Sequence, residues 1–160
     1  MKKKVLTIFL ILTMCLTMFP TAVFATGGGI VGLQGDGTPD NPYLISNRDE
    51  LQTFRDAVNG GQNEICAKLT KDILGETNWE DASDAIGTET YNYNGCFDGN
   101  GHHIYFGMNT NNTKFGLFGY IGQSGIVQNL AVRLDSIAGE SGAIAYSNAG
   151  TIASCSVYEW

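Results

Sequence analysis

Residues 116–132 read GLFGYIGQSGIVQNLAV, and residues 142–157 repeat them in degenerate form as GAIAYSNAGTIASCSV. Setting Gly125 on Gly150, a spacing of 25, pairs Ile126 with Thr151, Val127 with Ile152, Asn129 with Ser154, Leu130 with Cys155 and Val132 with Val157. At the front of each copy, Gly116, Leu117, Phe118 and Gly119 fall on Gly142, Ala143, Ile144 and Ala145, with one residue fewer before the second glycine. A period in the low twenties holding two short apolar strands and glycine turns is shorter than the ~33 to 47 residues of a helical-pair repeat. It suits one turn of a β-solenoid, whose successive turns stack about 4.8 Å apart. A looser third copy is expected from Gly95, with Gly95, Phe97 and Gly99 placed as Gly116, Phe118 and Tyr120 are.

Upstream of the repeat stand GDGTPDNPYLIS at 35–46, LTKDI at 69–73, Trp79 ahead of Ile86-Gly87, and GCFDGNGHHI at 95–104. In this order the pieces resemble bacterial surface proteins that carry the glycine-rich GLUG repeat, and the resemblance covers nearly everything after the leader. It implies a right-handed parallel β-helix displayed outside the cell, sometimes beside proteolytic or adhesive domains, and it implies no settled molecular activity. The expected fold class is therefore all-β, a parallel β-helix with one short N-terminal capping α-helix.

The leader is 1–25: a basic start, an apolar run from Val5 to about Met18, Pro20, and Val23-Phe24-Ala25 ahead of the cut. This pattern reads as a secretory signal peptide. A membrane anchor is the alternative, but the apolar run falls short of the ~20 residues needed to span. Met14 is too bulky beside Cys15 for a lipoprotein signal. Residues 26–37 form a glycine-rich lead-in, 38–61 a cap of one strand and one helix, and 62–160 the solenoid turns. Trp160 follows the second copy by three residues with no polar cap, so the sequence is expected to be a fragment or first part of a longer protein.

The nine Lys and Arg less the three of the leader, set against sixteen acidic side chains, leave a formal charge of −10. Nucleic acid and anionic membranes require a positive footprint, so neither is an expected partner. Extracellular protein and glycan remain, and export to the surface or the medium is the expected localisation.

Tyr43-Leu44-Ile45 follows the turn residues of 35–42 as a first strand. Asn47 and Glu50 are spaced as a capping box, and Leu51, Phe54 and Val58 form one apolar face that ends at Gly60-Gly61. The helix is thus placed at Arg48–Asn59 as a lid on the first turn, since an open apolar end would recruit other chains. Residues 64–73 alternate Ile65, Ala67 and Leu69 with Cys66, Lys68 and Thr70, the period of a half-buried strand.

Residues 74–90 read as a long acidic loop. The candidate contact residues are Trp79, Glu80, Asp81 and Asp84 with Tyr91 and Tyr93 beyond them: carboxylates accept hydrogen bonds or bind a cation, and the rings offer stacking faces. A solvated loop pinned by Trp79 and Ile86 accounts for the same residues without a ligand. No cofactor is implied; calcium is the one ion the acidic loops suggest, and the Asp36 to Asp40 stretch lacks the register of an EF-hand. His102 and His103, as strand neighbours, point to opposite faces and do not chelate together. Cys66, Cys96 and Cys155 remain after the leader, with two alternatives open for the first pair, a disulfide between neighbouring turns or two free thiols.

A polysaccharide-cleaving β-helix needs several carboxylates and a basic residue on one strand face. Asp98, Asp135 and Arg133 are the only outward group that fits, without a spacing that fixes their geometry. The favoured expectation is a non-catalytic surface module for display or adhesion. The alternatives are a polysaccharide lyase or hydrolase and the N-terminal part of a larger surface protease or adhesin.

Overall fold

A computed structural model gives the fold and describes residues 29–74, 78–79, 84–108, 116–134 and 142–159. The leader, Glu80, Asp81 and Asp135 lie outside the described residues, as does the side chain of Trp79. Strands β1 (Tyr43–Ile45), β2 (Ala67–Leu69), β4 (Cys96–Asp98), β7 (Ile126–Gln128) and β10 (Thr151–Ala153) form one sheet in that order. A second sheet runs β3 (Asn78–Trp79), β5 (His103–Met108), β8 (Ala131–Leu134) and β11 (Ser156–Glu159). The third pairs β6 (Phe118–Ile121) with β9 (Ala145–Asn148), and bridges from Ile86 to Phe118 and Tyr93 to Ile121 extend it.

Every strand pair in the three sheets is parallel. From β4 onward the chain visits the first, second and third sheets in turn, twice over, then the first and second again. Parallel neighbours need a crossover connection; the helix at Arg48–Asn59 supplies it between β1 and β2, and from β4 onward strands of the other two sheets do. The described chain is all-β with one helix.

The register lines up like residues. In the first sheet Tyr43, Ala67, Phe97, Val127 and Ile152 stand in one column, each paired with the next. In the second, Ile104, Val132 and Val157 do the same. Tyr43, Ala67, Phe97, Val127, Ile104 and Val132 are buried, while Ile152 and Val157 in the last described layer are part-exposed. Stacked identical faces are what bury these short strands, because a three-residue strand alone hides too little apolar area to offset its ordering entropy.

The corner between the first and second sheets explains the asparagines. Asn100, Asn129 and Ser154 adopt φ of 51°, 52° and 53°, each just after a first-sheet strand. Asparagine tolerates this left-handed region better than most side chains, and a local hydrogen bond helps hold it. Asn100 donates to the Leu69 carbonyl and Asn129 to the Asp98 carboxylate, tying each corner to the layer before it.

Helix α1 (Arg48–Asn59) has the expected bounds. Asn47 accepts from the Glu50 N–H at 3.0 Å, and the Glu50 carboxylate accepts from the Ser46 N–H and hydroxyl, the two halves of the expected capping box shifted by one residue. Leu51, Phe54 and Val58 are fully buried, and the Phe54 ring lies 6.0 Å from Tyr93 and 5.9 Å from Phe97. The Asn59 side chain donates to the Ala85 carbonyl and accepts from the Gly87 N–H, which binds the helix end to the incoming strand of the third sheet.

Four expectations change. The spacing of 25 between Ile126 and Thr151 holds, but the front of the repeat is offset by 27, Phe118 facing Ala145 rather than Ile144. The turn after β9 is two residues shorter than that after β6, and it absorbs the difference. The third copy is anchored elsewhere: Phe97 pairs with Val127, not as the counterpart of Phe118, because GCFD is a first-sheet strand and GLFG a third-sheet one. The strand expected over 64–73 breaks after Leu69, where the chain turns toward Ile73 and its bridge to Ile104 in the second sheet. The acidic loop is interrupted by β3, which pairs with Gly107 and Met108.

Candidate functional site

The candidate contact residues separate in space. Tyr93 is fully buried against Phe54 and Phe118, and its hydroxyl donates to the Ile65 carbonyl at 3.1 Å. It therefore presents no stacking face; burial also pushes its phenol well above the ordinary value. Asp84 accepts from Arg55 at 3.0 Å, so its carboxylate holds the loop to α1 instead of facing a ligand. Tyr91 is 41 % exposed and lies against Gly61, where any added Cβ would touch the ring. Of the six, Tyr91 is the one described side chain that offers a free ring, and Glu80, Asp81 and the Trp79 side chain lie outside the described residues.

Asp98 and Arg133, considered together for catalysis, belong to different sheets. Asp98 accepts from the Asn100 N–H at 2.8 Å and from Asn129 at 3.0 Å, which makes it a corner brace. His102 meets Asp72 at 3.0 Å, and the same carboxylate oxygen accepts from the His103 N–H. These two hydrogen bonds, the backbone one foremost, hold Asp72 below its ordinary value. Asp36 likewise sits below its ordinary value because Thr38 donates to it through hydroxyl and N–H; these bonds make the stretch a self-satisfied turn. Among the described residues no group of three His, Cys, Asp or Glu side chains could hold a metal ion.

Cys66 and Cys96 form a disulfide, with Cα atoms 4.5 Å apart, which decides between the two alternatives left open. Cys155 is half-buried and outside any disulfide, its thiol directed at the Ala153 and Val127 carbonyls.

The structure adds a site that residue types alone did not suggest. An open groove of about 820 Å³ runs along the corner where the third sheet returns to the first. Glu64, Asn92, Asn94, Gln123 and Ser124 supply its polar groups, with Gly122 and Ala149 as floor. Each comes from a turn in a successive layer, so stacking turns four unremarkable loops into one strip. Asn94 is fixed by three contacts: its N–H donates to the Asn63 carbonyl, its amide donates to the Asn92 carbonyl, and its oxygen accepts from the Ser124 N–H. Gly122 and Gly125 keep the floor low, since a Cβ on either would strike Asn94 or the Tyr93 carbonyl. The sequence signal for it is the polar residues ahead of two glycines, in NYNG at 92–95 and GQSG at 122–125. Amides, one carboxylate and one hydroxyl can make a dense set of hydrogen bonds; no described pair in the groove is arranged as nucleophile and base.

Among the described residues no helix is long and apolar enough to cross a membrane. No family model matches the chain, and no solved structure does. Two curated proteins are similar to it. One is named a Gly-rich membrane protein, from Evansella cellulosilytica, 34% identical over 137 residues, a match covering 77% of this chain and 15% of that protein. The other is named halomucin, from Haloquadratum walsbyi, 30% identical over 132 residues, covering 74% of this chain and 1% of that protein. The chain thus spans a small part of the relatives it matches.

Proposed function

We propose that this chain is a non-catalytic parallel β-helix module of the GLUG-repeat kind, exported from the cell, whose corner groove makes contacts with extracellular glycan or protein. The observation that carries the reading is the return of the chain through three parallel sheets in a constant order, which turns each short loop into one step of a continuous polar strip. A disulfide between Cys66 and Cys96 supports export, because such bonds persist in oxidising surroundings. The names of the two relatives, a membrane protein and a halomucin, support a place at the cell surface. In this reading α1 is the lid on the first layer. Any protease activity of a larger protein would belong to other parts of it.

Two assays test the proposal. Antibody labelling of intact producing cells should detect the chain without permeabilisation, and signal only after lysis would refute export. Incubation with acidic polysaccharides should yield no new reducing or unsaturated ends; product formation abolished by Asp98→Ala would instead establish the polysaccharide-cleaving reading.

A further inference from the structure

The outer face of the second sheet carries a second, smaller feature. In the register of that sheet His103, Ala131 and Ser156 form one outward row and Tyr105, Arg133 and Tyr158 the next. Val132 and Leu134 belong to the core, so Ala131 and Arg133 point the other way by the two-residue alternation of a strand. His103 and Tyr158 stand on strands separated by β8, a backbone separation of roughly 10 Å. Their rings nonetheless come within 6.2 Å of each other, tilted by 32°. Ala131, on the strand between them, is 8 % exposed.

Beside the two rings lies a cleft of about 290 Å³, whose polar lining comes from Asn129, Ser154 and Ser156. The Asn129 amide nitrogen donates to Asp98, so its position is fixed by the corner brace. Tyr158 is 51 % exposed, a large apolar surface left in water by the described residues. Among the described residues no carboxylate lines the cleft.

We infer that this cleft, walled by His103 and Tyr158 and floored by Ala131, binds a single pyranose ring of a glycan, a conclusion that rests on the reading of the chain as an extracellular contact module. The chemistry matches on both sides of such a ring. Its C–H face is apolar and lies flat on an aromatic surface, while its hydroxyls need the closely spaced hydroxyl and amide partners that Ser154, Ser156 and Asn129 supply. At about 290 Å³ the cleft lies just under the roughly 300 to 1,000 Å³ range of ligand pockets, which sizes it for one ring rather than an oligosaccharide chain.

The test is titration of the full chain with methyl pyranosides, neutral and uronic, followed by saturation-transfer NMR and by chemical-shift changes at the Ser154 and Ser156 amides. Binding of at least one pyranoside at that site is expected; the neutral and uronic arms identify which sugar chemistry it prefers. Tyr158→Ala should weaken it about tenfold, the upper end of what one aromatic contact supplies. Ala131→Leu, an outward substitution that leaves the core intact, should abolish it by filling the floor. No response to any pyranoside, or binding unchanged in Ala131→Leu with circular dichroism intact, overturns the inference. Surface labelling of cells making the same variants separates this failure from failure of the export reading: a chain still displayed but unable to bind sugar leaves that reading standing.

Discussion

Truncating Phe54 to alanine tests whether α1 closes the core or merely rests on the surface. The ring is fully buried and meets Tyr93 at 6.0 Å and Phe97 at 5.9 Å, so its loss leaves a cavity between the helix and the first and third sheets. Such truncations cost about 3–5 kcal/mol. Against a total of about 5–15 kcal/mol for a domain, that is a large fraction. Loss of the Asn47 cap in Asn47→Ala should cost only about 1 kcal/mol, because it frays one helix end and opens no cavity. The measurement is equilibrium unfolding in urea followed by far-ultraviolet circular dichroism. With an m-value of about 2 kcal/mol/M, Phe54→Ala should lower the midpoint by roughly 2 M and Asn47→Ala by roughly 0.5 M. A Phe54→Ala shift no larger than that of Asn47→Ala would refute the lid, since surface substitutions away from special features stay within about 0.5 kcal/mol.

Reduction of the Cys66–Cys96 disulfide, which spans 30 residues, should destabilise the chain by about 3–4 kcal/mol and appear as a fall in Tm under reductant; an unchanged Tm would mean the link contributes nothing. Asp72 has a folded value depressed below 3.8, so its contribution is complete well above that pH and is lost as pH falls through the folded value. Asp72→Asn should therefore lower Tm at neutral pH and converge with the parent at the acid end; a constant gap across the pH range would contradict the hydrogen bonds assigned to it. Gly95→Ala would drive its Cβ into the Ile65 carbonyl, rigid backbone that cannot step aside, and should cost about 1–3 kcal/mol in the same urea assay. Gly32→Ala, with open space around it, differs by carrying only the strain of a positive φ, and a larger loss there than at Gly95 would argue against the packing described.

The helix was legible to the residue because its signals are local: a cap at Asn47, an apolar stripe, and Gly60 at the end. The second half of the repeat was legible for a related reason, since Gly125 and Gly150 begin equal-length strands and any slip would turn Val127 and Ile152 outward. The front half was misjudged by one residue because Gly116-Leu-Phe-Gly and Gly142-Ala-Ile-Ala are weakly apolar throughout and do not mark a face. Phe97 and Phe118 look alike in sequence, each two residues after a glycine, yet occupy different sheets; their packing together at 5.4 Å is a long-range fact no local pattern carries. Tyr93 was misjudged for the converse reason. An amphipathic ring flanked by asparagines suits an exposed turn, and only the stacked layers show that its hydroxyl finds the Ile65 carbonyl inside. The groove and the cleft were illegible because their members, from Glu64 to Ala149 and from Gly101 to Tyr158, meet only once the layers are stacked.

The parallel, in-register stacking of segments 24 to 30 residues apart is the physical foundation of both sites. Isotope-edited NOESY of the labelled chain measures it directly, through amide-to-α contacts between backbones on adjacent strands. The predicted result links β7 on one side to β4, with Val127 opposite Phe97, and on the other to β10, with Val127 opposite Ile152. Close α-to-α contacts, the mark of antiparallel neighbours, or a Val127 linked to residues outside those two strands, would contradict it.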